Sequence, residues 1–277
     1  MFKVLSKQQL SPDVFRMEVE APLIAKKRKP GQFIILRVDE NGERIPLTIA
    51  DADPKRGVLT LYFQTVGTTT LKLSNLEPGD AILDVIGPLG KPTHIEKFGT
   101  VVCIGGGIGV APLYPIAQGL KKAGNKLISV IGARSKSLLI MEDLIREISD
   151  EMIVTTDDGS YGMEGFVTDA LKSLISRGEK IDLVVAIGPA IMMMFVCKLT
   201  KEYGIKTLVS LNSIMVDGTG MCGACRVVVG GKTRFACIHG PEFDGQEVDF
   251  DLLLKRQRTY LKQEKESRER YLASLPR

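Results

Sequence analysis

The chain has 277 residues, 44% hydrophobic and 25% charged, with a formal net charge of +4, values that fit a soluble globular protein with room for two domains. The seven bases and three acids between Lys255 and Arg270 account for the whole net charge, so the body is near neutral and offers no basic face to nucleic acid. The longest uncharged runs, Thr100–Leu120 and Leu183–Cys197, are interrupted by Gly or Pro and read as buried strand–turn–helix units, not membrane spans.

From the start, Met1–Lys7 alternates like a strand and lacks the apolar core of a secretory leader. Residues 1–97 read as an antiparallel β-barrel. Phe2–Ser6, Val14–Val19 and Val58–Thr65 alternate with period two, and turn signals recur at Ser11-Pro-Asp13, Lys29-Pro-Gly31, Glu40-Asn-Gly42, Asp53-Pro54 and Glu77-Pro-Gly-Asp80. Two stretches stand out within it. Arg44-Ile-Pro46-Leu47-Thr48 is one; Val66-Gly67-Thr68-Thr69-Thr70 is the other, placing a glycine and hydroxyls at a helix start, where a phosphate can be cradled.

Near Phe98-Gly99 the pattern changes, and residues 98–211 alternate strand and helix. Strands are expected at Val101–Ile104, Leu127–Gly132, Met152–Thr155, Leu183–Ile187 and Thr207–Leu211, with helices at Ala111–Lys122, Ser137–Ile148, Val167–Ser176 and Ala190–Tyr203. That order specifies an α/β doubly wound, parallel sheet. Gly105-Gly106-Gly107-Ile108-Gly109 follows the first strand and leads into a helix carrying Pro112. Glycines there remove the Cβ atoms that would block a pyrophosphate, and the helix end supplies N–H donors. The alternative is a tight strand-to-helix turn with no ligand. Gly188-Pro189 ends a later strand and is expected to face the same crevice, with Arg134 and Asp157 at two further strand ends where a ribose or adenine would lie. Met193 and Met194 read as core packing, as do Cys103 and Cys197.

Residues 212–245 carry the densest chemistry. Asp217, Cys222, Cys225 and Cys237 reproduce the C-x4-C-x2-C…C spacing of a plant-type [2Fe–2S] loop with Asp in the first place. Glycines 218, 220 and 223 would let the backbone curl around a cluster. The competing reading is a zinc site built from the three Cys with Asp217 or His239. Five cysteines, three of them clustered, do not form a disulfide framework and point to a reducing, cytoplasmic setting. Residues 246–277 read as one long helix over Val248–Leu272, opened by Asp249 and Asp251, with Leu252–Leu254 docking on the body and a solvated or partner-facing stretch at Lys262–Arg270.

Taken together, Pro30-Gly31-Gln32-Phe33, the Arg44–Thr48 stretch, the Gly67 turn, Gly87-Pro-Leu-Gly90, the Gly105–Pro112 loop and Gly188-Pro189 resemble, in order, the motifs of the ferredoxin–NADP reductase superfamily. The added cysteine loop narrows the resemblance to its iron–sulfur members. The Asp-x4-Cys-x2-Cys-x11-Cys pattern narrows it further, to the small FAD-containing subunits of NADH-dependent reduced ferredoxin:NADP⁺ oxidoreductases, also described as sulfide dehydrogenases. The resemblance implies a ferredoxin reductase-like fold holding FAD, NAD(H) and a [2Fe–2S] cluster. It also implies hydride exchange between nucleotide and flavin, and a larger iron–sulfur flavoprotein subunit through which ferredoxin and NADP(H) enter an electron-bifurcating reaction. Two departures accompany it. The usual Arg-x-Tyr-Ser flavin motif is replaced by Ile45–Thr48 with its Arg at position 44, and Ile187 stands where a Cys often precedes Gly-Pro. Alternatives are the electron-transfer subunit of dihydroorotate dehydrogenase, that of a sulfide reductase or hydrogenase, and, from another class, a zinc-stabilised nucleotide-binding protein without redox activity. No catalytic nucleophile is expected.

Overall fold

A computed structural model of the chain describes residues 1–275. Its first part contains β1 (Phe2–Ser11), β2 (Val14–Glu20), α1 (Pro22–Lys27), β3 (Phe33–Arg37), β4 (Ile45–Thr48) and β5 (Asp51–Asp53). It continues with β6 (Val58–Gln64), α2 (Thr68–Ser74), β7 (Ala81–Ile82) and β8 (Asp84–Leu89). The strands form two antiparallel sheets, ordered β5-β6-β2-β1-β7 and β4-β3-β8. Because side chains alternate across a strand, one face of each sheet turns inward. Val4, Met17, Leu36, Leu59, Leu61 and Phe63 fill the shared core.

The second part runs β9 (Thr100–Gly106), α3 (Val110–Lys122), β10 (Lys126–Ala133), α4 (Glu142–Ile148), β11 (Glu151–Thr156) and β12 (Met163–Glu164). It is completed by α5 (Val167–Ser176), β13 (Leu183–Ile187), α6 (Ala190–Glu202) and β14 (Thr207–Ser210). The sheet order β12-β11-β10-β9-β13-β14 is parallel throughout. Its central strands are covered on both faces, which is why they read as unbroken apolar runs. Leu113, Ile116 and Leu120 of α3 pack on one face, and Ala170, Leu174, Met193 and Val196 of α5 and α6 on the other. Cys103 and Cys197 are buried in these layers, where burial pushes both thiols up, Cys197 to about 12.

The last part holds β15 (Arg226–Val229), β16 (Lys232–Phe235), α7 (Ala236–His239), β17 (Glu242–Asp244), α8 (Phe250–Gln257) and α9 (Leu261–Ser274). Three features differ from the sequence reading. First, β17 leaves the cysteine segment and adds an antiparallel edge strand to the nucleotide sheet, Ser210 opposite Glu242 and Leu208 opposite Asp244. Second, the expected helix Ser137–Ile148 begins only at Glu142. Met141 sits at φ 58, and Leu139–Met141 packs into an apolar cluster with Val110 and Tyr114, an arrangement a helix would break. Third, the tail is two helices. Leu253 and Phe250 fix α8 in the sheet's core, and its end is tied to the cysteine loop by Arg256 donating to the Ala224 carbonyl at 3.0 Å. The chain then turns at Thr259-Tyr260, and α9 reaches back to the barrel, where Ser267 Oγ lies 2.9 Å from Thr68 Oγ1 and Tyr271 accepts from Asn75 at 3.1 Å. The two final residues of the expected tail, 276 and 277, lie outside the described residues. No described helix is long and apolar enough to cross a membrane.

Candidate functional site

A cavity of about 1060 Å³ opens between the barrel and the carboxyl ends of the parallel strands, the position where open α/β sheets take their ligands. The strand β9 carries Gly105 and Gly106 and ends at a turn through Gly107, Ile108 and Gly109 that starts α3. Close packing dictates the glycines. A Cβ on Gly109 would lie 2.3 Å from the Ile187 carbonyl oxygen, and one on Gly188 would lie 3.2 Å from the Gly106 Cα. The first glycine loop and the Gly188-Pro189 turn therefore meet, as their strand positions imply. Gly107, at φ 55, has open space where a Cβ would be. That leaves room for a diphosphate beside the backbone N–H groups and the start of the 13-residue α3.

Of the residues singled out in the sequence, Pro46, Leu47, Thr48, Gly106, Gly107, Ile108, Gly109, Pro112, Arg134, Asp157, Gly188 and Pro189 line this one cavity. Gly105 lies beneath the loop, against Val110 and Leu113. Arg44 is exposed and does not line the cavity, although it directly precedes β4. The group at Val66, Gly67, Thr68 and Thr69 also lies off the cavity wall. Val66 is exposed, Thr69 is buried, and Thr70 exchanges hydrogen bonds with the Gly67 N–H (3.1 Å) and carbonyl (3.0 Å), closing the start of α2.

Sequence reading missed several lining residues. Tyr62, at the register position opposite Arg16, presents its ring to the cavity beside Thr48, and burial pushes its hydroxyl up. Ser210, Asn212 and Ser213 follow the last parallel strand and line the same space; the strand-end rule could have found them. The barrel wall is thus an apolar shelf of Pro46 and Leu47 with two hydroxyls, which fits a planar aromatic ring system.

The cysteine loop adjoins this cavity. Gly218, Gly220 and Gly223 take φ of 74, 86 and 68, so the backbone curls as the glycines imply. The donors come in two pairs. Cys225 and Cys237 are buried free thiols with sulfurs 3.2 Å apart. Asp217 and Cys222 form the other pair. The Asp217 carboxylate accepts from the Thr219 N–H and the Cys222 N–H, each at 2.8 Å, which holds its carboxyl below the usual range. Burial, and then the contact with Cys225, push the Cys237 thiol up to about 12. A bound metal would have to displace that proton, as coordination of a thiol does.

Two donors for each of two irons is what a binuclear cluster asks for. A single zinc ion asks for four donors on one centre, whereas here the donors stand as two separate pairs. His239 is engaged elsewhere, its Nδ1 accepting from the Phe235 N–H at 2.9 Å. The donor set therefore fits a [2Fe–2S] cluster.

Phe33 and Met215 connect the two regions. Both line the cavity, and both pack in the apolar group that contains Cys225 and Cys237. Close by, Thr93 donates to Glu242 at 2.7 Å; this glutamate is mostly buried, no cation pairs with it among the described residues, and burial pushes its carboxyl up to about 7.

Residues 212–249 match the iron–sulfur cluster binding domain of dihydroorotate dehydrogenase B. Over 270 residues the chain is 53% identical to a dihydroorotate dehydrogenase B (NAD(+)) electron transfer subunit homolog of Thermotoga maritima, covering 98% of this chain and 95% of that one. It is 36% identical to a probable subunit of the same kind from Methanopyrus kandleri, over 85% of this chain and 86% of that one. Among solved structures, the NADH-dependent reduced ferredoxin-NADP oxidoreductase, studied for insights into flavin-based electron bifurcation, superposes with a TM-score of 0.93 at 52% identity over 98% of both chains. The cytochrome b5 reductase domain of Ulva prolifera nitrate reductase, at 18% identity and a TM-score of 0.59 over 73% of this chain and 91% of that one, shares the fold.

Proposed function

The chain belongs to the family of dihydroorotate dehydrogenase B electron-transfer subunits and their homologues, and from that premise we propose that it is an FAD- and NAD(H)-dependent electron-transfer subunit with a [2Fe–2S] cluster. The observation that carries this reading is the shared wall. Phe33 and Met215 line the cavity and pack in the same apolar group as Cys225 and Cys237. When bound, FAD exchanges a hydride with the nicotinamide and single electrons with the iron–sulfur cluster, chemistry that belongs to the cofactors.

The chain's own residues position those groups and exclude water. Pro46, Leu47, Thr48 and Tyr62 would seat the flavin ring. The loop Gly105–Gly109 with Pro112 would take the nucleotide diphosphate, Arg134 and Asp157 its adenosine ribose, and Gly188-Pro189 would bring its nicotinamide toward the flavin. Asp217, Cys222, Cys225 and Cys237 would hold the cluster. No nucleophile or acid–base side chain is required. The Asp157 carboxylate, on the same wall as Arg134, disfavours a 2′-phosphate, so NADH is the proposed nucleotide.

The relatives are named as electron-transfer subunits, and we assign this chain the same place beside a larger iron–sulfur flavoprotein subunit. The oxidoreductase it superposes on is described in terms of flavin-based electron bifurcation. That supports ferredoxin and NADP(H) as the further reactants, reached through the partner. Dihydroorotate oxidation, which the relatives' names suggest, is the second reading; Asp217 in place of the first cluster Cys favours the first. Iron, zinc and flavin analysis of the purified protein is expected to give one FAD and one [2Fe–2S] cluster per chain. About one equivalent of zinc with negligible iron would overturn the cluster.

A further inference from the structure

The turn between Cys222 and Cys225 is gripped from outside by two arginines. Arg226, the first residue of β15, folds back and donates through Nη1 to the Gly223 carbonyl at 3.0 Å. Arg256, in the last turn of α8, donates through Nη2 to the next carbonyl, that of Ala224, also at 3.0 Å. The first of these contacts continues inward. The Gly223 carbonyl and the Ala224 N–H belong to one peptide unit, and the Ala224 nitrogen lies 3.5 Å from the Cys222 sulfur it donates to. A guanidinium on the oxygen of a peptide polarises that unit and strengthens the bond made by its N–H.

Among the described residues neither Arg226 nor Arg256 forms an ion pair with a carboxylate. Their positive charges therefore stand uncompensated beside a donor set that is wholly anionic when it holds metal: the thiolates of Cys222, Cys225 and Cys237 and the carboxylate of Asp217. Adding one electron makes such a site more negative still. Fixed positive charge nearby favours the reduced form, as do hydrogen bonds to the sulfur ligands. We propose that Arg226 and Arg256 raise the reduction potential of the iron–sulfur cluster, by their charge and by polarising the peptides of the Cys222–Cys225 turn. The proposal rests on the assignment of this loop to a [2Fe–2S] cluster. It also gives α8 a part in the chemistry. Phe250 and Leu253 fix the helix in the core of the nucleotide sheet, so Arg256 reaches the turn from a rigid support. Arg226 is exposed and Arg256 half-buried, so dissolved salt screens the first more than the second.

The test is an equilibrium redox titration of the purified full chain loaded with flavin and iron, followed by electron paramagnetic resonance of the reduced cluster. Arg256→Gln keeps a donor for the Ala224 carbonyl and removes the charge. It is expected to shift the one-electron equilibrium about tenfold toward the oxidised cluster, which corresponds to about 59 mV. Arg256→Lys, which keeps the charge, is expected to stay within about twofold of the parent. Arg226→Gln is expected to shift the equilibrium in the same direction, by a smaller factor that shrinks as salt is raised. Unchanged cluster potentials in both glutamine variants would overturn the proposal. So would equal shifts in Arg256→Gln and Arg256→Lys, the outcome of a side chain that only braces the turn. Where Arg256→Gln fails to retain iron, Arg226→Gln against Arg226→Lys decides by the same comparison. An unaltered chain that holds no iron would instead overturn the cluster assignment, and the tuning role with it.

Discussion

Replacing Asp217 with Ala is expected to strip the iron–sulfur cluster from the chain while leaving FAD in place. Of the four donors, Asp217 is the only one that is not a thiolate, and it stands where plant-type spacing requires the first ligand. The fold prepares it as an anion. Two backbone N–H groups point at its oxygens at 2.8 Å, and its carboxyl is held below the usual range. Cys197, the nearest cysteine upstream, is buried on α6 and packed against the nucleotide sheet, so it cannot substitute. Alanine removes both the charge and the oxygen donor, and an iron left with an open position loses the cluster or takes a water. Carboxylate is a harder donor than thiolate. Asp217→Cys should therefore keep the cluster and change its potential and its electron paramagnetic resonance signal. Full iron content with an unchanged spectrum in Asp217→Ala would place the fourth ligand elsewhere. His239, two residues beyond Cys237, would be the first candidate, at the expense of its bond from Phe235.

A second large effect is expected from pH acting on Glu242. Its carboxyl is pushed up to about 7 by burial, from an ordinary value of 4.5, so the folded protein holds a proton that the unfolded chain has already released. Stability therefore falls as pH rises from about 4.5 to about 7, where the folded state binds more protons. The full difference amounts to roughly 3 kcal/mol at 1.36 kcal/mol per unit. The sign is opposite for Asp150, Glu151 and Asp182, whose carboxyls are held down by hydrogen bonds from Lys121, Arg177 and the Thr100 N–H respectively; they add stability that is lost on acidification. Glu242→Gln isolates the one group, because an amide oxygen can still accept from Thr93. Denaturant midpoints measured from pH 5 to 8 should show the variant gaining on the parent as pH rises, with the gap closed near pH 5. A constant gap across that range would contradict the assignment.

What the sequence made legible follows from which signals are local. The central strands β9, β10 and β13 were readable because burial on both faces leaves their interiors almost wholly apolar, Ser129 of β10 aside. The glycine turns were readable because backbone contact at 2.3 Å admits no Cβ, whatever else the loop does. The cysteine spacing carried the cluster site before any fold was known. The remainder depended on tertiary contacts. β17 has a single apolar residue, Phe243, and is a strand only because β14 offers an open edge. The break before α9 lies in a polar stretch with good helix formers on both sides. It comes from α8 being anchored to the cysteine loop while Ser267 and Tyr271 meet the barrel. Arg44 attracted attention by its place in a motif, yet a one-residue displacement moved it off the cavity wall.

On the proposed reading, one chain takes hydride from NADH on a flavin that shares an apolar wall with an iron–sulfur cluster. Rapid anaerobic mixing of the purified protein with NADH, followed at the flavin absorbance band, tests it most directly. Bleaching of the flavin, faster with NADH than with NADPH at equal concentration, is the predicted result. A flavin that stays oxidised in the presence of NADH, or bleaches faster with NADPH, would overturn that reading.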